Sequence, residues 1–187
     1  MITAYAGIGS RTITKEEREI IVKIANFLSE LGYVCYSGNA VGSDDAFQEG
    51  SNKRCVSYIP WNGFNAHLKS SEIHCPYINT AGFQSVDKFH PAPEKLSDKA
   101  RRLMARNYHQ VMGIFGYPPV EFIVCCATPK GDFCDGGTAQ ALRLANHFNI
   151  PWVNIRTENW KSKLKMVIRR IDSPATMEEI KNAINNY

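Results

Sequence analysis

The chain has no apolar run approaching the roughly 18 residues that a membrane-spanning helix needs, and its start, MITAYAGIGSR, has no charged segment ahead of an apolar one. Neither membrane insertion nor export is expected; a cytoplasmic setting is. Cysteine occurs six times, but Cys125, Cys126 and Cys134 lack CxxC spacing. His74 adjoins Cys75, yet no second His/Cys pair follows at zinc-ligand spacing. Neither a metal nor a cofactor is expected. Three of the cysteines fall in segments that read as buried strands, where a free thiol behaves as a small hydrophobe, and a reducing compartment fits them. Positive charge is not concentrated either: the net +4 is spread over 99–106, 161–165 and 169–170. That is a mild lean toward anionic ligands and a weak footprint for nucleic acid. There is no internal repeat or low-complexity stretch. The length of 187 residues suits one sizeable core, so a single domain over 1–187 is expected.

What is present is an alternation of short apolar segments with helical periodicity. Residues 2–6 read as a strand ending at Gly7. Thr14 with Glu17 makes a capping box, and Ile20, Ile21, Ile24, Phe27, Leu28 and Leu31 then recur at helical spacing up to Gly32. A second strand spans 33–36, Ser43 can cap a helix that ends at Gly50, and a third strand spans 55–59 before Pro60. From 61 to 93 the periodicity fades into Asn, His, Pro, Gly and aromatic residues, read as an irregular insertion over the sheet edge. Helical spacing returns over 96–113. Residues 120–127 are the most continuous apolar run, as a strand buried on both faces requires. Gly136 and Gly137 precede a helix with small residues on one face, residues 151–155 make a fifth strand, and terminal helices are expected at 160–171 and 177–184 within 157–187. Strands alternating with helices predict an α/β, Rossmann-like open parallel sheet of about five strands with helices on both faces.

In such a sheet ligands bind beyond the carboxyl ends of the strands, where the strand order reverses. Gly7, Gly9 and Ser10 follow the first strand, so backbone amides and the Ser10 hydroxyl are candidates to meet a phosphate, with Arg11 supplying a charged fork. A tight turn with a salt-bridged Arg11 accounts for GIGSR nearly as well. Ser37, Gly38 and Asn39 follow the second strand. Asp44 and Asp45 behind them either stabilise a helix start through its dipole or accept from a ribose hydroxyl. Gly136, Gly137 and Thr138 open a helix and offer a second anion cradle. Arg101, Arg102, Arg106 and Asn107 lie off the apolar stripe of their helix, with Arg106 the one nearest the insertion. Most charges on such a helix are only solvated, and His109 is a candidate acid or base, although a lone histidine is more often structural. Tyr58, Trp61 and Phe64 are candidates to stack on a base, or core residues at a strand end.

The ordered set YAGIGSR, SGNAVGSDDAFQEG, YIPWNGFN, HPAPEKLS, LMARNYHQVMG, FIVCCAT and GGTAQALRLANHFNIPWVNI resembles the SLOG superfamily of Rossmann-like proteins. It is most similar to small stand-alone relatives of the DNA-processing protein DprA, found in bacteria and phages, and extends over residues 5–155. The resemblance implies a pocket for a nucleotide-derived ligand built from Gly7 through Arg11, Ser37 through Asp44 and Gly136 through Thr138, and a homo-oligomer. Two departures stand out. Many relatives have a second glycine where this chain has Asn39. The phosphoribohydrolases of the superfamily have a glutamate just behind GGxGT, where this chain has Gln140 and Ala141.

Holding a nucleotide-derived molecule is therefore the leading expectation: a cyclic-dinucleotide or ADP-ribose-type signal, which a phage-encoded protein would use to sequester an immune messenger in anti-defence. The alternatives are a nucleotide N-glycosidase or phosphoribohydrolase with a relocated carboxylate, Asp44, Asp132 or Asp135, in which Asp44 and Arg106 are the catalytic candidates, and DprA-like binding of single-stranded DNA.

Overall fold

A computed structural model describes residues 2–65 and 73–170. Six parallel strands form the main sheet: β1 (Ala4–Gly9), β2 (Val34–Ser37), β3 (Cys55–Tyr58), β4 (Ile73–Cys75), β5 (Phe122–Cys126) and β8 (Trp152–Asn154). Their order is β4-β3-β2-β1-β5-β8. A separate antiparallel hairpin, β6 (Pro129–Lys130) and β7 (Phe133–Cys134), follows β5. The chain thus builds outward from β1 through β4, then returns to the other side of β1 with β5 and β8. This is the expected α/β class with one more strand than the sequence pattern showed.

The helices are α1 (Lys15–Glu30), α2 (Ser43–Gly50), α3 (Thr80–Phe89), α4 (Asp98–Met112), α5 (Thr138–His147) and α6 (Trp160–Arg170). Strand periodicity divides the core between the two faces of the sheet. Tyr5, Cys35, Cys55, Phe122 and Val124 pack against α1, α2 and α6. Ala6, Ile8, Tyr36, Val56 and Ile123 point the other way, toward Val111 of α4 and the alanines 139, 141 and 145 of α5. All six cysteines are unpaired.

Several local expectations are met and others are not. Thr14 and Glu17 form the capping box, with Glu17 Oε2 accepting from Thr14 N at 2.8 Å and Thr14 Oγ1 accepting from Glu17 N at 3.1 Å. Ser43 does not cap α2. Gly42 holds that position with φ 86°, which favours glycine, and no side chain caps the helix. The Ser43 hydroxyl instead donates to Ser10 O at 2.9 Å, tying α2 to the loop after β1. The stretch after β3 holds edge strand β4 and the ten-residue helix α3, whose Asn79 cap accepts from Gly82 N at 2.9 Å. A three-residue strand and a helix with only three buried residues, Gly82, Ser85 and Val86, leave too short an apolar period to be visible in sequence. The expected helix at 177–184 lies outside the described residues. No helix among the described residues is long and apolar enough to cross a membrane.

Candidate functional site

β1 and β5 are hydrogen-bonded neighbours, but the chain leaves β1 toward α1 on one face and leaves β5 toward α5 on the other. The loops must diverge there, and a crevice opens between them. A cavity of about 460 Å³ occupies this place, within the range of small-molecule sites. Gly9, Ser10, Arg11 and Thr12 form one side, and Ala127, Thr128 and Asp135 another. Gly136, Gly137 and Thr138 reach it from α5, while Leu103, Met104, Arg106, Asn107 and Gln110 present one face of α4.

The loop after β1 is held by its own backbone. Ser10 N donates to Cys126 O at 2.7 Å, and Ser10 Oγ accepts from Thr12 N at 3.0 Å and donates to Thr12 O at 2.8 Å. The Ser10 hydroxyl thus closes a local turn at the cavity wall. Arg11 lines the cavity, is exposed, and makes no ion pair with a described residue. The salt-bridged Arg11 of the alternative reading is not found.

At the inner end of the cavity lie two charged residues that are almost wholly buried: Asp44 is 4% exposed and Arg106 is 6% exposed. Asp44 Oδ2 accepts from Ala40 N at 3.3 Å and lies 3.7 Å from Arg106 Nη1. Burial pushes the Asp44 carboxyl up to about 6, against the opposing pull of Arg106 and of the amides of Ala40, Gly9 and Gly38. At 3.7 Å the pair is too long for a hydrogen bond, so it offsets only part of the desolvation cost. Burial lowers the Arg106 pKa too, with Asp44 opposing and Arg11 adding to the shift. Arg106 Nη1 also donates to Tyr58 O at 3.3 Å, while its buried Nε has no partner among the described residues.

From this pair a polar row runs along α4. With the Gln110 amide turned to the orientation in which its oxygen faces donors and its nitrogen an acceptor, Oε1 accepts from Gly38 N at 3.0 Å and from Arg106 Nη1 at 3.3 Å, and Nε2 donates to Asn107 Oδ1 at 2.9 Å. Asn107 Nδ2 donates to Gly137 O at 2.9 Å, and Arg102 Nε donates to Pro60 O at 3.1 Å. Arg106, Asn107 and Gln110 are thus buried, joining the ends of β2 and β3 to the start of α5. Of the four polar residues read as a solvated face, Arg101 pairs with Asp87 at 2.6 Å and Arg102 stays exposed, whereas Arg106 and Asn107 are buried together with Gln110.

The start of α5, like that of α2, lacks a side-chain cap. Its first position follows Gly136, at φ 71°, and Gly137, and no side chain caps it. Ala139 N and Gln140 N turn back to Gly136 O and Gly137 O at 3.3 and 3.1 Å. The amides of Gly137 and Thr138 make no hydrogen bond with a described residue, so they and the positive end of the helix dipole are available to an anion. Behind them Gln140 is buried, with Nε2 donating to Ser85 O at 3.0 Å, and Ala141 is fully buried. Neither supplies a carboxylate to the cavity.

Of the residues singled out from sequence, Gly9, Ser10, Arg11, Asp44, Arg106, Gly136, Gly137 and Thr138 line this one cavity, and Gly7, Ser37, Gly38, Asn39 and Trp61 do not. A β-carbon on Gly7 would collide with the Phe47 ring, so this glycine serves the close approach of α2. Ser37 Oγ donates to Gly7 O at 2.8 Å. Asn39, fully buried at φ 57°, donates from Nδ2 to Phe64 O at 2.8 Å and Asn65 O at 3.2 Å, and Asn65 Nδ2 returns a bond to Asn39 O at 2.9 Å. Its amide clasps the segment after β3 and does not floor the cavity. Trp61 stacks edge to face on Phe64, with centroids 5.2 Å apart. His109 is buried, its pKa lowered by desolvation, with Nε2 accepting from Asn79 N at 3.3 Å. It reads as structural. Of the carboxylates considered for catalysis, Asp44 and Asp135 line the cavity and Asp132 does not; Asp135 also pairs with Lys130 at 2.9 Å. Sequence reasoning missed Leu103, Met104 and Gln110. The available signal was the four-residue spacing of Arg102, Arg106 and Gln110, a second, polar stripe on α4.

No family model matches the chain, and no curated protein sequence does. Solved structures do. DNA processing protein A from Helicobacter pylori, described for its single-stranded DNA binding mode, superposes with a TM-score of 0.58 at 17% identity, covering 98% of this chain and 79% of that one. The structural-genomics target TM1055 gives 0.57 at 16%, with full coverage of both chains. The Moco carrier protein of Chlamydomonas reinhardtii gives 0.53 at 11%, covering 100% of this chain and 97% of that one. The chain shares the Rossmann-like fold of these proteins.

Proposed function

We propose that the chain binds a nucleotide-derived small molecule in the crevice between β1 and β5, with an anionic group of the ligand at the first turn of α5. One observation carries this reading. Arg11, which pairs with no described residue, the uncapped start of α5 and the buried Arg106, whose Nε has no partner among the described residues, all border a single cavity. Leu103, Met104 and Ile8 add an apolar wall suited to a base or sugar face. Two of the structural neighbours are described, respectively, by DNA binding and as the carrier of a cofactor, which is consistent with a fold that holds such molecules.

The finer reading is retention without cleavage of a signalling nucleotide of cyclic-dinucleotide or ADP-ribose type. It is supported by the amide and methyl side chains at Gln140 and Ala141, directly behind the cradle. A second reading, hydrolysis of an N-glycosidic bond, is favoured by the raised pKa of Asp44 within the same cavity. A panel of AMP, ADP-ribose, a cyclic dinucleotide and a single-stranded oligonucleotide separates the readings. The proposed function requires tight binding of one small molecule that is recovered intact after heat release. Free base or ribose phosphate in the supernatant would instead establish hydrolysis. Salt-sensitive binding of the oligonucleotide alone would transfer the site to DNA.

A further inference from the structure

The divergence of the loops after β1 and β5 leaves their separation unfixed by the sheet, because the last register pair is Gly9 with Cys126. One backbone bond beyond it, Ser10 N to Cys126 O at 2.7 Å, still joins the two loops, and past that point side chains set the width of the crevice. Two residues from the end of β8 do so. Asn154 Nδ2 donates to Ala127 O at 2.7 Å and its Oδ1 accepts from Ala127 N at 3.2 Å, which satisfies both backbone groups of a residue that lines the cavity. Arg156 spans the gap itself. Its Nη1 donates to Thr128 Oγ1 at 2.9 Å on the β5 side, and its Nη2 donates to Thr12 O at 3.0 Å on the β1 side. The same guanidinium forms a two-pronged ion pair with Glu17, Nε to Oε1 at 2.6 Å and Nη2 to Oε2 at 2.9 Å. Thr12 and Thr128 both line the cavity, whereas Arg156 itself does not.

We infer that Arg156 is a positioning residue of the binding site: by bridging Thr12 and Thr128 it fixes the opening of the crevice, so that the ligand meets a preformed mouth. This rests on the proposed small-molecule function for its consequence in binding, but the bridge itself does not. A planar fork is needed, because one cation must reach a carbonyl, a hydroxyl and a carboxylate at once in fixed directions. Lysine at position 156 would keep the charge facing Glu17 and lose the span. Holding the loops in advance lowers the ordering cost that binding would otherwise incur.

The test uses the full chain, with Arg156→Lys, Glu17→Gln and, as a control, Arg101→Ala. Amide hydrogen exchange needs no ligand and reads the bridge directly. In Arg156→Lys, exchange at Thr12, in the loop whose carbonyl the fork holds, should accelerate by roughly tenfold or more, while Ala127, held by Asn154, and Leu28 in the core of α1 keep their rates. Titration with ADP-ribose and with AMP then reads the consequence: a dissociation constant raised by roughly tenfold in Arg156→Lys, by less in Glu17→Gln, which keeps an oxygen for the Arg156 fork while losing the charge, and unchanged in Arg101→Ala. Equal losses of affinity in Arg156→Lys and Glu17→Gln, tracking their losses of stability, would reduce Arg156 to a support for α1 and overturn the inference. So would unchanged exchange at Thr12. If the wild type binds neither probe, the proposed ligand class fails while the exchange arm still decides whether Arg156 sets the crevice.

Discussion

The guanidinium of Arg106 occupies the space that a β-carbon on residue 38 would need, so Gly38 and Arg106 fit only together. Gly38 looked from sequence like part of a phosphate loop. In the structure its missing side chain admits a buried cation from α4, and its amide donates to Gln110, the neighbour of that cation. Gly38→Ala should therefore displace Arg106 from Asp44 and leave a buried charge without its partner. The expected loss is about 3 kcal/mol of folding stability, measured by urea denaturation. An effect below about 1 kcal/mol, the usual cost of a surface change, would show that Arg106 relocates freely.

The pH dependence of stability carries the signature of Asp44. Its pKa in the folded chain, about 6, lies above the ordinary 3.8. The folded state thus binds more protons than the unfolded state between about pH 4 and pH 6, and this contribution to stability falls as pH rises through that window. Stability of the wild type relative to Asp44→Asn should accordingly increase as pH is lowered from 7 to 4. Denaturation curves collected at intervals across this range check the sign, and a relative stability that declines on acidification contradicts it.

Arg11 is exposed and pairs with no carboxylate among the described residues, so its removal should leave the fold alone. Arg11→Ala is expected to weaken an anionic ligand by about 1.5 to 3 kcal/mol through loss of a charge-assisted bond, with an unchanged melting temperature. Calorimetric titration of the ligand identified by the nucleotide panel measures the first quantity and thermal unfolding the second.

Gly136 holds a φ of 71°, a conformation that costs a residue with a β-carbon about 1 kcal/mol. Because it immediately precedes the uncapped start of α5, Gly136→Ala should pair a small loss of stability with a larger loss of anion affinity. Comparable losses in the two measurements would argue that the strain stays local and the amides of Gly137 and Thr138 keep their direction.

Asn39→Gly tolerates the same backbone, at φ 57°, but deletes the clasp to Phe64 and Asn65. The expected outcome is a loss of about 1 to 2 kcal/mol and faster proteolytic cleavage near residue 65, with ligand affinity retained. Affinity lost in parallel would place the clasped segment at the site.

The strand and helix order was readable because it rests on local periodicity: the apolar run at 120–127, the capping box at Thr14 and Glu17, and the small residues of α5 each act within one element. The glycine loops were readable as loops but not as a sorted set. Whether a glycine borders the cavity, as Gly9 does, or only makes room for a side chain, as Gly7 does with Phe47, depends on partners tens of residues away. The buried row on α4 was hidden for a related reason. Arg106, Asn107 and Gln110 have the composition of a solvated face, and only the neighbouring ends of β2, β3 and α5 turn that face inward. Arg156, which spans three segments, had no local motif at all.

Glu17 belongs to two structures at once. One of its oxygens closes the capping box on Thr14, and both hold the guanidinium that bridges Thr12 and Thr128. Position 17 is thus a shared joint between the beginning of α1 and the doorway of the crevice. Redesign of either would have to negotiate with the other, and residues 17 and 156 should be exchanged as a unit, never singly, when this scaffold is adapted to a different ligand.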